Sequence, residues 1–161
     1  MKGPIVCNAT PIIAFSRINR LELFRQITGT ITIPQEVEKE LYEHGRTDVP
    51  ALDRSNWINV RKVQSRADVE LLLPSLDKGE AEVIVLSREL GAGLVIIDEL
   101  TARKVAIMMG LPIIGAVGLL IQAKRTGLIK EVKPLLDEMI RQGIRYKENF
   151  YREVLKSVNE L

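Results

Sequence analysis

Leu94–Ala106, LVIIDELTARKVA, is the stretch that decides how this chain is read. Its first four residues, Leu94 to Ile97, are apolar without a break. A short run of that kind marks a strand buried on both faces of a parallel sheet. Two acids, Asp98 and Glu99, follow at once, and a helix-like pattern starts there. Open α/β sheets bind their ligands just beyond the carboxyl ends of their strands. Two carboxylates at that place, facing a helix start, are suited to holding a divalent cation through oxygen.

Downstream, Glu99–Met109 is predicted as a helix ended by Gly110. Pro112–Gly115 includes a minimal strand, and Ala116–Lys124 is an apolar helix. Two amphipathic helices, Val132–Arg141 and Glu148–Val158, close the chain. Upstream, Ile5–Cys7 reads as a strand, and Pro11 suits the first turn of a helix PIIAFSRI. A second helical piece, LELFRQI, ends at Gly29, and Thr30–Ile33 is a short strand. Pro34 opens the helix PQEVEKELYEHG, which Gly45 ends. Residues 46–66 are irregular apart from a strand within Trp57–Val63, where Trp57 is expected to pack rather than bind. Asp68–Leu73 is a short helix stopped by Pro74, and Asp77–Leu90 is a strong one stopped by Gly91. Strands alternating with helices predict a three-layer α/β/α sandwich with a mainly parallel central sheet. A single domain over 1–161 is expected, its terminal helices (131–161) packing on the body or on a dimer partner. Phe150, Val154 and Val158 would form the packing stripe.

Composition narrows the chemistry. The chain has 161 residues, 46% hydrophobic and 27% charged, which is a globular balance. Its net charge of +2 neither requires nor excludes nucleic acid. With one cysteine, Cys7, there is no intramolecular disulfide and no cysteine cluster for zinc. With one histidine, His44, a histidine-rich metal site or a Ser-His-Asp triad is poorly supported. No stretch approaches the roughly 20 apolar residues of a membrane span, and the N-terminus lacks a secretory core. A cytoplasmic location is expected.

In this topology the ends of the first and fourth strands can lie side by side. The first offers Asn8 and Thr10, the fourth Asp98 and Glu99. Glu40 borders the apolar stripe of Val37 and Leu41, with Glu36 its nearest rival. Glu80 lies in the first turn of its helix, as does Glu82. Successive helix positions differ by about 100°, so the two point to nearly opposite sides, and Glu82 would face away. An oxygen-only ligand set suits Mg²⁺ or Mn²⁺, which assist phosphodiester hydrolysis. Plainer roles stand beside these. Asp98 could cap the next helix, Glu99 could serve its dipole, and Thr10 could cap the first helix. Asn8 could be a turn residue and Glu40 a solvated charge. Arg17, Lys78, Arg103 and Lys104 could contact phosphates or simply be surface charges. A phosphoryl-accepting receiver domain is disfavoured, because no separate Asp ends a middle strand.

The order of these pieces resembles the PIN-domain family along almost the whole chain. IVCNATPIIAFSRI resembles the family's opening motif, and VEKEL the segment of its second acid, at Glu40. GEAEVIVLS resembles the segment of the third, at Glu80, and VIIDELTARKVA the closing motif, with Asp98 and Glu99. GLPIIGAVGLLIQAKRTGLI is similar to a subgroup of prokaryotic PIN proteins. The resemblance implies a metal-dependent nuclease for single-stranded RNA. In it Asn8, Glu40, Glu80, Asp98 and Glu99 would hold Mg²⁺ or Mn²⁺, and Thr10 and Arg103 would orient water or substrate. Some such proteins are toxins, commonly homodimers, blocked by a small antitoxin. One departure stands out: Asn8 replaces the family's usual first Asp. An amide carbonyl can ligate a metal but brings no charge. Glu80 replaces a commoner Asp, which adds one methylene. The alternative is therefore a catalytically degenerate PIN-fold module that binds RNA or protein.

Overall fold

The computed structural model describes residues 3–44 and 56–161. Gly45 and the irregular stretch 46–55 lie outside the described residues. Five strands form one all-parallel sheet in the order β3-β2-β1-β4-β5: β1 (Ile5–Cys7), β2 (Ile31–Pro34), β3 (Ile58–Arg61), β4 (Leu94–Ile96) and β5 (Ile113–Ile114). The expected three-layer α/β/α architecture is what the chain adopts. The helices between β1 and β4 are α1 (Ala9–Arg17), α2 (Leu21–Thr28), α3 (Gln35–His44), α4 (Arg66–Leu72) and α5 (Lys78–Leu90). After β4 come α6 (Leu100–Met108), α7 (Ala116–Arg125), α8 (Lys133–Arg141) and α9 (Glu148–Ser157).

Burial explains why these segments are strands. Val6, Cys7, Ile31, Ile33, Val95 and Ile96 are completely buried, as residues of a sheet covered on both faces must be. Cys7 is thus a core residue. Helices α1, α2, α7 and α8 pack on one another, while α4, α5 and α6 form a second group. Helix α3 touches both α1 and α5 and so bridges the groups. One apolar cluster runs from Ile5 to Val158. Trp57 packs as expected, its ring 6.0 Å from that of Phe24. Among the described residues no helix is long and apolar enough to cross a membrane.

Several boundaries differ from the sequence expectation for local reasons. The first helix starts at Ala9, because Asn8 takes the extended conformation of an N-cap (φ −80°, ψ 168°). Pro11 then sits within the first turn, where a missing N–H is tolerated. Thr10 is therefore inside the helix rather than its cap. Pro34 closes β2, in register with Arg61, and Gln35 is the first helical residue. Proline's fixed φ suits either place. In the terminal stripe Val154 and Val158 are buried, but Phe150 is 45% exposed.

Candidate metal and substrate site at the carboxyl edge

The strand order reverses direction of travel between β1 and β4. From β1 the chain builds outward through β2 and β3, then returns to place β4 on the other flank of β1. Such a switch point leaves a crevice at the carboxyl edge, because the connections on either side diverge. Asn8 and Asp98 leave the sheet there. Cys7 is in register with Ile96, and the Asn8 N–H donates to the Ile96 carbonyl at 2.9 Å. Asn8 is 4% exposed, and its side chain makes no capping bond to α1.

Helix α5 brings the next group. Its Asp77 is an N-cap that accepts from the Glu80 N–H at 2.8 Å, while Glu80 accepts from the Asp77 N–H at 3.1 Å. This reciprocal capping box holds Glu80 at the start of the helix. Gly79, between them, lets other side chains approach the backbone. A Cβ there would lie 3.1 Å from Glu40 Oε1, 3.6 Å from Asp77 Oδ1 and 3.7 Å from Asn8 Oδ1. Three oxygens from three elements thus converge over one glycine. A groove of about 360 Å³ opens beside them, lined by Glu36, Glu40, Glu43, Asp77, Lys78 and Gly79. Burial raises the Glu80 carboxyl above its ordinary value, and the charges of Asp77, Glu99 and Glu40 push the same way against the Asp77 N–H. Glu40 and Glu99 therefore both lie within electrostatic reach of Glu80.

Asp98 and Glu99 divide their work differently from either capping option. Glu99, not Asp98, is the N-cap of α6 and accepts from the Ala102 N–H at 2.8 Å. Asp98 reaches across to α7, accepting from the Ala116 N–H at 2.8 Å. Burial raises its carboxyl too, opposed by that N–H and by Arg103. Its charge is felt by Cys7 and Tyr146, whose ionisations burial already pushes up. Gly115 makes the approach possible, since a Cβ there would stand 2.5 Å from Asp98 Oδ1. Arg103 donates from Nη1 to the Ile97 carbonyl at 2.9 Å, which aims its guanidinium along the same edge.

Three acids are thus each tied to a helix start: Glu80 to α5, Glu99 to α6 and Asp98 to α7. These bonds hold like charges apart. Among the described residues no three Asp, Glu, His or Cys side chains form a ready-made cation cage. The donor chemistry nevertheless fits a hard cation. Every candidate ligand is an oxygen, and the Glu40, Asp77 and Asn8 oxygens already converge over Gly79. Glu82 is buried and serves packing instead, accepting from Glu36 N–H and pairing with Arg66 at 2.7 Å. It does not face away from the edge as expected: its partner Glu36 lies in the first turn of α3, just beyond β2, and lines the acidic groove.

Two participants escaped sequence reasoning. Asp77 carries a visible signal, an acid three residues before Glu80, which is a capping-box spacing. Tyr146 carries none, because its nearness to Asp98 depends on how the terminal segment returns over α7.

A parallel α/β/α protein with acidic and amide side chains along the carboxyl edge of its switch point is the class that this geometry defines. The chain belongs to the PIN-domain family, whose model matches residues 4–160. The fold is accordingly of nuclease type. No curated protein matches the chain significantly.

Proposed function

We propose that this chain is a metal-dependent endoribonuclease that cleaves single-stranded RNA and works as one PIN-like unit over 1–161. The observation that carries the reading is the meeting of Asn8, Glu40 and Asp77 oxygens over Gly79, at the edge where Glu80, Asp98 and Glu99 also emerge. Asn8, Glu40, Glu80, Asp98 and Glu99 would hold Mg²⁺ or Mn²⁺. Such an ion, when bound, lowers the pKa of water and neutralises charge on phosphate. The chain's own residues do the rest. Asp98 stays oriented by the Ala116 N–H, and Arg103, anchored by the Ile97 carbonyl, offers its remaining N–H groups to a phosphate. Thr10 is exposed on the first turn of α1, where its hydroxyl can orient substrate or water. A toxin role, with a small antitoxin and a homodimer, belongs to this proposal through the family resemblance.

The test is cleavage of single-stranded RNA with Mn²⁺, with and without chelator, beside Asp98→Asn. The amide keeps an oxygen for the Ala116 N–H but loses the charge. Turnover is expected to vanish with chelator and to fall on the order of a hundredfold or more in the variant, the scale of losing a group that stabilises developing charge. Undiminished cleavage by Asp98→Ala rules the assignment out.

A second reading is favoured by Asn8, which removes one charge, and by the separate engagement of Glu80, Asp98 and Glu99 with helix starts. In it the chain is a catalytically degenerate module that binds RNA or protein. RNA binding indifferent to chelator, with no turnover under any metal, would select it.

A further inference from the structure

Next to Asp98 the carboxyl edge opens into a second, quite different cavity of about 560 Å³. That is within the roughly 300–1,000 Å³ of small-molecule sites. Its walls are largely aliphatic, with Ile113, Val117 and Ile121 among them. Tyr146 and Phe150 also line it, their ring centroids 5.7 Å apart and their planes tilted by 30°. Phe150 leaves 45% of its surface in solvent, though it belongs to an amphipathic helix whose Val154 is buried. Two guanidiniums, Arg103 and the exposed Arg145, share the lining, and neither forms an ion pair among the described residues. Asp98 joins the cavity to the acidic edge.

Aliphatic walls alone would suit any apolar group. Paired aromatic rings beside two cations are more selective. They match a flat ring that carries a phosphate, because every base offers a π-face and every nucleotide an anion. We propose that this cavity receives one base of a single-stranded RNA, stacked on Phe150 and Tyr146, while Arg145 and Arg103 hold the adjoining phosphate. The inference rests on the nuclease reading for the nature of the strand, since it places the base beside the phosphate presented at Asp98. Stacking without hydrogen-bond readout makes the site tolerant of sequence.

The test is fluorescence anisotropy of the full chain, in chelator, with two probes: labelled hexauridylate and a labelled base-free ribose-phosphate strand of the same length. The base-bearing strand is expected to bind more tightly. Phe150→Ala should weaken it by roughly tenfold and leave the base-free strand unchanged, with an unaltered melting temperature. Arg145→Ala should weaken both probes alike and reduce the salt dependence by about one counterion. Equal binding of the two probes, binding of neither, or a preference that survives Phe150→Ala overturns the proposal. So does a Phe150→Ala protein that changes oligomeric state but keeps RNA affinity, since the cavity then seats protein. Cleavage assays separate the two claims. Metal-dependent cleavage with no tighter binding of the base-bearing probe than of the base-free one removes only this site, and tighter binding of the base-bearing probe without cleavage under any metal removes only the nuclease reading.

Discussion

Asp98 illustrates what a single residue contributes here. Its carboxylate is half-buried, and it is held by an N–H eighteen residues away at the start of α7 and by the nearby charge of Arg103. Its place after a buried strand is readable from LVIID, but its partner is not, because no local pattern links residue 98 to residue 116. Glu80 behaves similarly and gives a sharp prediction. Burial and neighbouring acids raise its folded-state carboxyl above the unfolded value. The folded protein therefore binds the Glu80 proton more firmly than the unfolded chain, and stability is lost as pH rises through that raised value. In chelator, Glu80→Gln should melt higher than the parent protein at neutral pH, and the difference should shrink as pH falls below the ordinary carboxylate range. Parallel melting curves from about pH 3 to 8, a window that reaches below the ordinary carboxylate value, check this. A variant that melts lower at neutral pH would mean the charge is stabilising.

At the scale of elements, the segments most legible in sequence were those with one dominant cause. The β4 run is continuous and apolar, and α5 is bounded by Asp77 and Gly91, so both were found nearly to the residue. Ends governed by proline or by a competing cap shifted: α1 began at Ala9, two residues before Pro11, with Asn8 as its N-cap, and Pro34 joined a strand. Contacts between the terminal helices were invisible because they depend on the return of the chain. Glu160 is the clearest case. It accepts from the Val132 and Lys133 N–H groups at 2.8 and 2.7 Å and pairs with Lys124 at 2.9 Å. It thereby ties the C-terminus to the start of α8 and the end of α7. Burial opposes its charge, but the Val132 and Lys133 N–H groups and Lys124 outweigh burial and lower its carboxyl. The stabilisation is thus present above the unfolded carboxylate value and is lost as pH falls through the folded one. Glu160→Gln should lower stability by about 1–3 kcal/mol at neutral pH, the scale of a hydrogen-bonded charge. The loss should fade in acid, and denaturant titrations at two pH values measure it. An equal loss at both would assign it to packing alone.

For the whole molecule, the strand order is what turns scattered sequence positions into a site. β1 and β4 are neighbours although nearly ninety residues separate them, as the Val6–Val95 register shows. Alternation of strands and helices announced a parallel sheet, and the ordered motifs announced the family. Neither showed that each acid would be parcelled out to its own helix start. That arrangement has a mechanistic consequence in the proposed nuclease. A cation must compete with three helix N-termini for its ligands, so binding should draw Asp98, Glu99 and Glu80 toward the Asn8 and Glu40 oxygens and stiffen the edge. The most direct measurement is Mn²⁺ binding followed by electron paramagnetic resonance on the parent chain, Glu80→Gln and Asp98→Asn. Saturable binding that weakens by tenfold or more in each variant, on the order of one lost charged ligand (about 1.4 kcal/mol or above), is the predicted result. Mn²⁺ affinity unchanged by both substitutions would contradict the site.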